Sequence, residues 1–200
     1  MSKVGICNMA LSHLGVGKEI ANLETEKSDE ASAFRRFYDI ARDATLRETA
    51  WPFATKIDVL SLVKEDPNDE WDFSYRYPID CEYFRRILSG IRNDNKSTRI
   101  PYEIASDTLG SLIYTDKKNA TAEYTVNIDN PILYPPDFSM ALSYYLAALT
   151  AARLTAGDPF KLKDWCMKMF YLEISRAASR AFNEEQVESP PESEFITGRE

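Results

Sequence analysis

Histidine, glycine and cysteine are all scarce in this chain. Its 200 residues include one histidine (His13), seven glycines and three cysteines (Cys7, Cys81 and Cys166). Each scarcity removes raw material for a class of chemistry, because His-based triads, His/Cys zinc sites and phosphate-cradling loops draw on those residue types. The GxG at Gly15-Val16-Gly17 follows a helical pattern rather than a strand and lacks a third glycine, so it reads as a helix end. His13, with no second imidazole in the chain, reads as a helix-end or packing residue. The cysteines are odd in number and form no CxxC, so they are expected to be reduced, small core residues of an intracellular protein. No cofactor and no metal ion is expected.

Positive charge is also in short supply: 24 Lys and Arg face 32 Asp and Glu, a formal net charge of −8. Such a balance repels phosphate backbones and anionic lipid headgroups, which argues against a general nucleic-acid binder. The longest apolar run falls short of the roughly 18 residues a membrane span needs. Met1 to Gly15 has neither the basic start nor the long apolar run of a signal peptide, so no membrane partner is expected. What is present is 44% hydrophobic and 12% aromatic content, enough for a sizeable core in one or two domains.

Val4, Cys7, Met9, Ala10, Leu11 and Leu14 recur at helical spacing, with Gly15 as the stop. Ser28, Asp29 and Glu30 read as an N-cap with an acidic first turn. The stripe Ala31, Phe34, Phe37, Tyr38, Ala41 and Thr45 then predicts a second helix to about Ala50, ahead of Pro52, with Asp43 and Arg47 placed for an i,i+4 pair. Beyond the Pro135-Pro136 pair, Phe138, Leu142, Tyr145, Leu149 and Ala152 mark a third helix that Gly157 ends. Asp158 and Pro159 open a fourth, with Leu162, Trp165, Cys166, Met169, Phe170, Ile174, Ala177 and Ala181 on its apolar face; the last two helices should pack antiparallel.

Between the helix pairs the period changes from about 3.6 to 2: Trp71, Phe73, Tyr75 and Tyr77 alternate with polar residues. Further strands are expected at Ile57 to Val63, Phe84 to Ile91, Arg99 to Ala105, Gly110 to Thr115 and Ala120 to Ile128, separated by turn-rich clusters. The expected class is α+β: an antiparallel helical bundle from residues 1–54 and 136–183, an inserted antiparallel β domain at 55–135, and a flexible tail at 184–200. The tail carries six acids against one arginine and so holds −5 of the net charge.

Two clusters invite a chemical reading. Asp66, Asp69, Glu70 and Asp72 lack the glycine and terminal glutamate of a calcium loop and read as a solvated turn. The aromatic run from Trp71 to Phe84 is set among acids, which favours core packing or a subunit interface over a base-stacking platform. The tail departs from ordinary disordered composition, since Phe195 and Ile196 followed by Arg199 form an apolar anchor with one cation on an acidic tether. Such a segment suits docking with folding on a partner.

Several motifs, in order along the chain, resemble the tail tubular protein A family of short-tailed bacteriophages. They are Asn8-Met9-Ala10-Leu11 through Leu14-Gly15, Phe37-Tyr38 through Arg42-Asp43 and Leu46-Arg47 to Trp51-Pro52-Phe53-Ala54, and Tyr75-Arg76-Tyr77-Pro78-Ile79-Asp80-Cys81. Ile113-Tyr114-Thr115-Asp116, Ala122-Glu123-Tyr124-Thr125 and Tyr134-Pro135-Pro136-Asp137-Phe138, leading into Ala141-Leu142 and Leu146-Ala147, complete the set. The resemblance implies a non-enzymatic head-to-tail adaptor of the virion, forming a ring of usually twelve copies between a portal protein and a tail nozzle protein. Double-stranded DNA would pass through without specific binding, and Phe195, Ile196 and Arg199 would dock on the portal. Two other readings compete: a cell-wall glycan hydrolase using acids such as Asp66, Glu70 or Asp80, and a small regulatory binding module.

Overall fold

A computed structural model describes residues 1–91 and 98–184. The class is α+β, with four helices and two antiparallel sheets. The helices are α1 (Lys3–His13), α2 (Asp29–Glu48), α3 (Pro136–Leu154) and α4 (Pro159–Glu184). The strands are β1 (Thr55–Val59), β2 (Leu62–Glu65), β3 (Phe73–Arg76), β4 (Cys81–Ile87), β5 (Glu103–Asp107), β6 (Gly110–Thr115) and β7 (Thr121–Val126).

The helix ends follow local chemistry. The Ser2 hydroxyl accepts from the Gly5 amide at the start of α1. At its other end Gly15 takes φ +69°, which lets the amides of Gly15 and Val16 return to the carbonyls of Ser12 and Leu11, a Schellman turn. Ser28 caps α2 through the Ala31 amide at 3.2 Å, as its sequence predicts. The expected Asp43 to Arg47 pair does not form: Arg42 takes the Asp43 carboxylate at 2.7 Å, and Arg47 lies 3.9 Å from Glu82. Helix α3 stops at Leu154, before Gly157, because Thr155 is extended and both its amide and its hydroxyl bond to Ala151 O.

Helix α3 packs against α1, α2 and α4, so its buried surface is wider than a single stripe. Ala141, Leu146, Ala147 and Ala151 join Phe138 and Leu142 in the core, while Ala152, expected there, is exposed. Helices α3 and α4 are antiparallel, with Tyr145 on Phe170 and Asp137, at the start of α3, bonded to Arg180 near the end of α4. Trp165, expected in the core, is 45% exposed, with its ring edge-to-face with Tyr144 at 5.8 Å between centroids.

The strand expected at Ile57 to Val63 is two strands. It breaks at Leu60-Ser61, where Leu60 turns into the core and its amide bonds to Ala120 O. Its first half, β1, joins a sheet of order β1-β7-β4, and its second half, β2, joins a sheet of order β2-β3-β6-β5. The strand expected from Phe84 starts earlier, at Cys81, and the one expected from Arg99 starts later, at Glu103. Leu60, Tyr75, Phe84, Ile87, Ile113 and Tyr124 form the core between the sheets. Within the aromatic run Tyr75 and Phe84 are buried, Phe73 and Tyr77 are half-buried and Tyr83 is 41% exposed; Ser74, which the alternation places on the polar face, is buried, its hydroxyl donating to Lys64 O.

The two halves meet where the chain leaves and re-enters the helices. Trp51 and Phe53 pack on Phe138 with ring centroids 5.0 and 5.1 Å away, and Tyr134 packs on the same ring at 4.7 Å. The Trp51 indole N–H donates to Thr45 O at 2.9 Å, tying the segment that leaves α2 back to its last turn.

Candidate interaction surfaces

Cys7, Cys166 and His13 are packed among their neighbours. Burial pushes the Cys7 thiol up to about 12 and the Cys166 thiol up to about 11, so both are poor nucleophiles. His13 stacks on Tyr144 with ring centroids 3.9 Å apart, and burial holds its pKa below the usual value. The Ser143 hydroxyl donates to Met140 O, so His13 Nε2–H donates to Ser143 Oγ at 3.0 Å. No group of three or more potential metal ligands comes together among the described residues.

The acids of the hydrolase reading sit in different surroundings. Asp66 and Glu70 are exposed in the turn between β2 and β3, where Asn68 Oδ1 accepts from the amides of Glu70 and Trp71. Asp80 lines a separate cleft with Lys56, Asp58, Arg76 and Ile79. Burial would raise the Asp80 carboxyl, but hydrogen bonds from Lys56 Nζ and the Tyr124 hydroxyl outweigh it and hold the group below the usual carboxylate range. A general acid for glycoside hydrolysis needs the opposite shift.

Charge concentrates at the junction of helices and sheets, on residues the sequence reading had not connected. The Arg85 side chain, on β4, donates through Nη2 to the carbonyls of Leu46, Arg47 and Thr49, and through Nε to Thr125 Oγ1. It thereby caps the C-terminal end of α2, where orphan carbonyls and the helix dipole favour a cation. Beside it Asn127 Nδ2 donates to both Asp43 Oδ1 (3.3 Å) and Glu82 Oε2 (3.1 Å). Burial raises the Glu82 carboxyl above the usual range, and the Asp43 charge adds to the shift.

Among the described residues, exposed apolar side chains line up in two places. On α4, Phe160 (74% exposed), Tyr171 (53%) and Phe182 (65%) recur every eleven residues, a spacing that keeps them within about 40° of one line along the helix. The sequence contains that period, but the stronger stripe of Cys166, Phe170, Ile174 and Ala177 defines the core face and masks it. Along β1 and β2, Ile57, Val59, Leu62 and Val63 are all between 45% and 64% exposed. The docking residues expected in the tail, Phe195, Ile196 and Arg199, lie outside the described residues.

No family model matches the chain, and no curated protein matches it. Among the described residues no helix is long and apolar enough to cross a membrane.

Proposed function

We propose that this chain is a structural head-to-tail adaptor of a short-tailed bacteriophage, assembling as a ring between portal and tail nozzle so that DNA passes through its centre during ejection. In this reading the four helices form the ring-building bundle, residues 55–135 are an inserted β domain facing the nozzle, and Phe195, Ile196 and Arg199 dock on the portal. The observation that carries it is the line of Phe160, Tyr171 and Phe182 along α4. Large aromatics repeated along an exposed helix are unusual in a monomer and mark a contact surface. The ordered family motifs support it as well. Trp51-Pro52-Phe53 and Tyr134-Pro135-Pro136-Asp137-Phe138 meet at the junction between helices and sheets, as residues that define an architecture would.

Mass measurement of the protein alone and after mixing with the matching portal ring tests the reading. Loading of a defined number of copies is expected, and failure to load overturns it. Removing residues 184–200 is expected to leave the fold intact and abolish loading. The net charge of −8 predicts no retention on a DNA column at physiological salt, and firm retention would count against the open-channel role.

A further inference from the structure

The sheet of order β2-β3-β6-β5 has two edges, β2 and β5. Every pairing within it is antiparallel and the strand number is even, so the two edges run in opposite directions. A second copy related by rotation about an axis near the strand direction therefore brings its β2 antiparallel to the first copy's β5. Two different edges meet, which is the heterologous contact a ring requires.

The side chains on these edges agree on a register. Lys64 lies opposite Ser74, Ser74 opposite Tyr114, and Tyr114 opposite Glu103, so Lys64 and Glu103 end one row across the sheet and share a face. Val63 is the extra residue of a β-bulge between Leu62 and Lys64, and the next row across the sheet runs Leu62, Tyr75, Ile113, Ile104. Placing Lys64 of one copy opposite Glu103 of another thus also brings Leu62 opposite Ile104, side chains that are 51% and 49% exposed. One row is a pair of opposite charges and the next is an apolar pair. Lys64 has no ion-pair partner among the described residues, and Glu103 accepts only from the Trp71 indole at 3.2 Å. An edge lysine ordinarily blocks strand pairing, whereas facing an acid it selects the edge that carries one.

We propose that β2 of one copy pairs antiparallel with β5 of a second copy, with Lys64 opposite Glu103 and Leu62 opposite Ile104. The proposal rests on the ring reading only in taking a second copy as the occupant of the edge.

Two full-length variants, Leu62→Cys and Ile104→Cys, test it when mixed under mild oxidation, alone and after loading on portal rings. Directly opposed strand residues have Cα atoms about 4.5 to 5.5 Å apart, within disulfide reach. A covalent dimer that needs both variants is expected, with none from either variant alone or from the unsubstituted chain. Loading on the portal without this cross-link overturns the edge pairing and leaves the adaptor reading standing. Cross-linking without loading does the reverse, and absence of both sinks both. In the same cross-linking variants, Lys64→Glu or Glu103→Lys is expected to lower the yield about fivefold, and the two together in one chain to restore it. Equal yields across the three overturn the register.

Discussion

At the centre of the helical core the residues are small: Ala10, Ala31, Ala141, Ala147 and Ala151 let α1, α2 and α4 approach α3 closely, and Phe34, Leu142 and Phe170 fill what remains. Between the sheets the buried residues are large and partly polar, with Tyr75 and Tyr124 placing hydroxyls at the rim of the core. Tyr75 donates to Lys117 O at 2.8 Å, and Tyr124 donates to Asp80 Oδ1 at 3.1 Å. Helices satisfy their own backbone and can be joined by close packing alone. Short edge-rich sheets gain from side-chain hydrogen bonds that pin a loop or a neighbouring strand. The difference teaches where each half is vulnerable: the helices to lost volume, the sheets to lost partners.

The most severe break is expected from Phe34→Ala, which empties a fully buried site among close-packed helices and should cost about 3–5 kcal/mol. Chemical denaturation measures it, and a cost below that of Phe84→Ala in the sheet core would reverse the comparison. Arg85→Ala comes next, at about 2 kcal/mol, because the carbonyls of Leu46, Arg47 and Thr49 at the end of α2, and Thr125 Oγ1, lose a charged donor. If Arg85 couples the halves, calorimetry of the variant should show the single transition broaden or split; an unchanged single transition would place the coupling elsewhere. Tyr75→Phe is expected to cost about 1 kcal/mol, with faster amide exchange confined to the turn at Lys117 and Ala120.

Glu82 gives a pH signature of the junction. Its folded pKa is raised, by burial first and by Asp43 second, so the folded state binds its proton more tightly than the unfolded chain does. The ionised form therefore costs stability above the raised value, and that cost is relieved as the pH falls toward the ordinary glutamate value of 4.5. Asp107 behaves in the opposite sense. Its bond with Arg76 holds it down at about 2, so its contribution is present above about 4 and lost as the pH falls toward 2. Glu82→Gln should flatten the first trend in thermal melts and leave the second. The smallest effect on stability, within about 0.5 kcal/mol, is expected from Phe182→Ser on the exposed face of α4, while copy number on the portal falls.

Much of the fold was legible because it depends on neighbours in sequence. Ser28 before an acidic turn, Gly15 after a helical stripe and Pro135-Pro136 ahead of α3 act over one turn, and the structure places helix ends at or near all three. Other features resisted reading because they depend on distant segments. Nothing near Leu60 indicates that one apolar strand divides between two sheets, since the division follows from which edges β7 and β3 leave open 15 to 60 residues away. The Asp43 to Arg47 pair fits helical spacing, yet Arg42 and Glu82 compete for its members.

The sequence by itself determined the class of the fold, the caps and the order of helix, strand and helix, along with the shortage of residues for metal, cofactor or His-based chemistry. These follow from side-chain volume, periodicity and backbone chemistry within a few residues. Only the tertiary structure decided that Arg85 closes the end of α2, that Glu82 and Asp43 share Asn127, and that Phe160, Tyr171 and Phe182 lie exposed rather than in the core of the described residues. Those outcomes depend on which segments meet across long separations, where burial and competing charges select among pairings that local pattern leaves equally open.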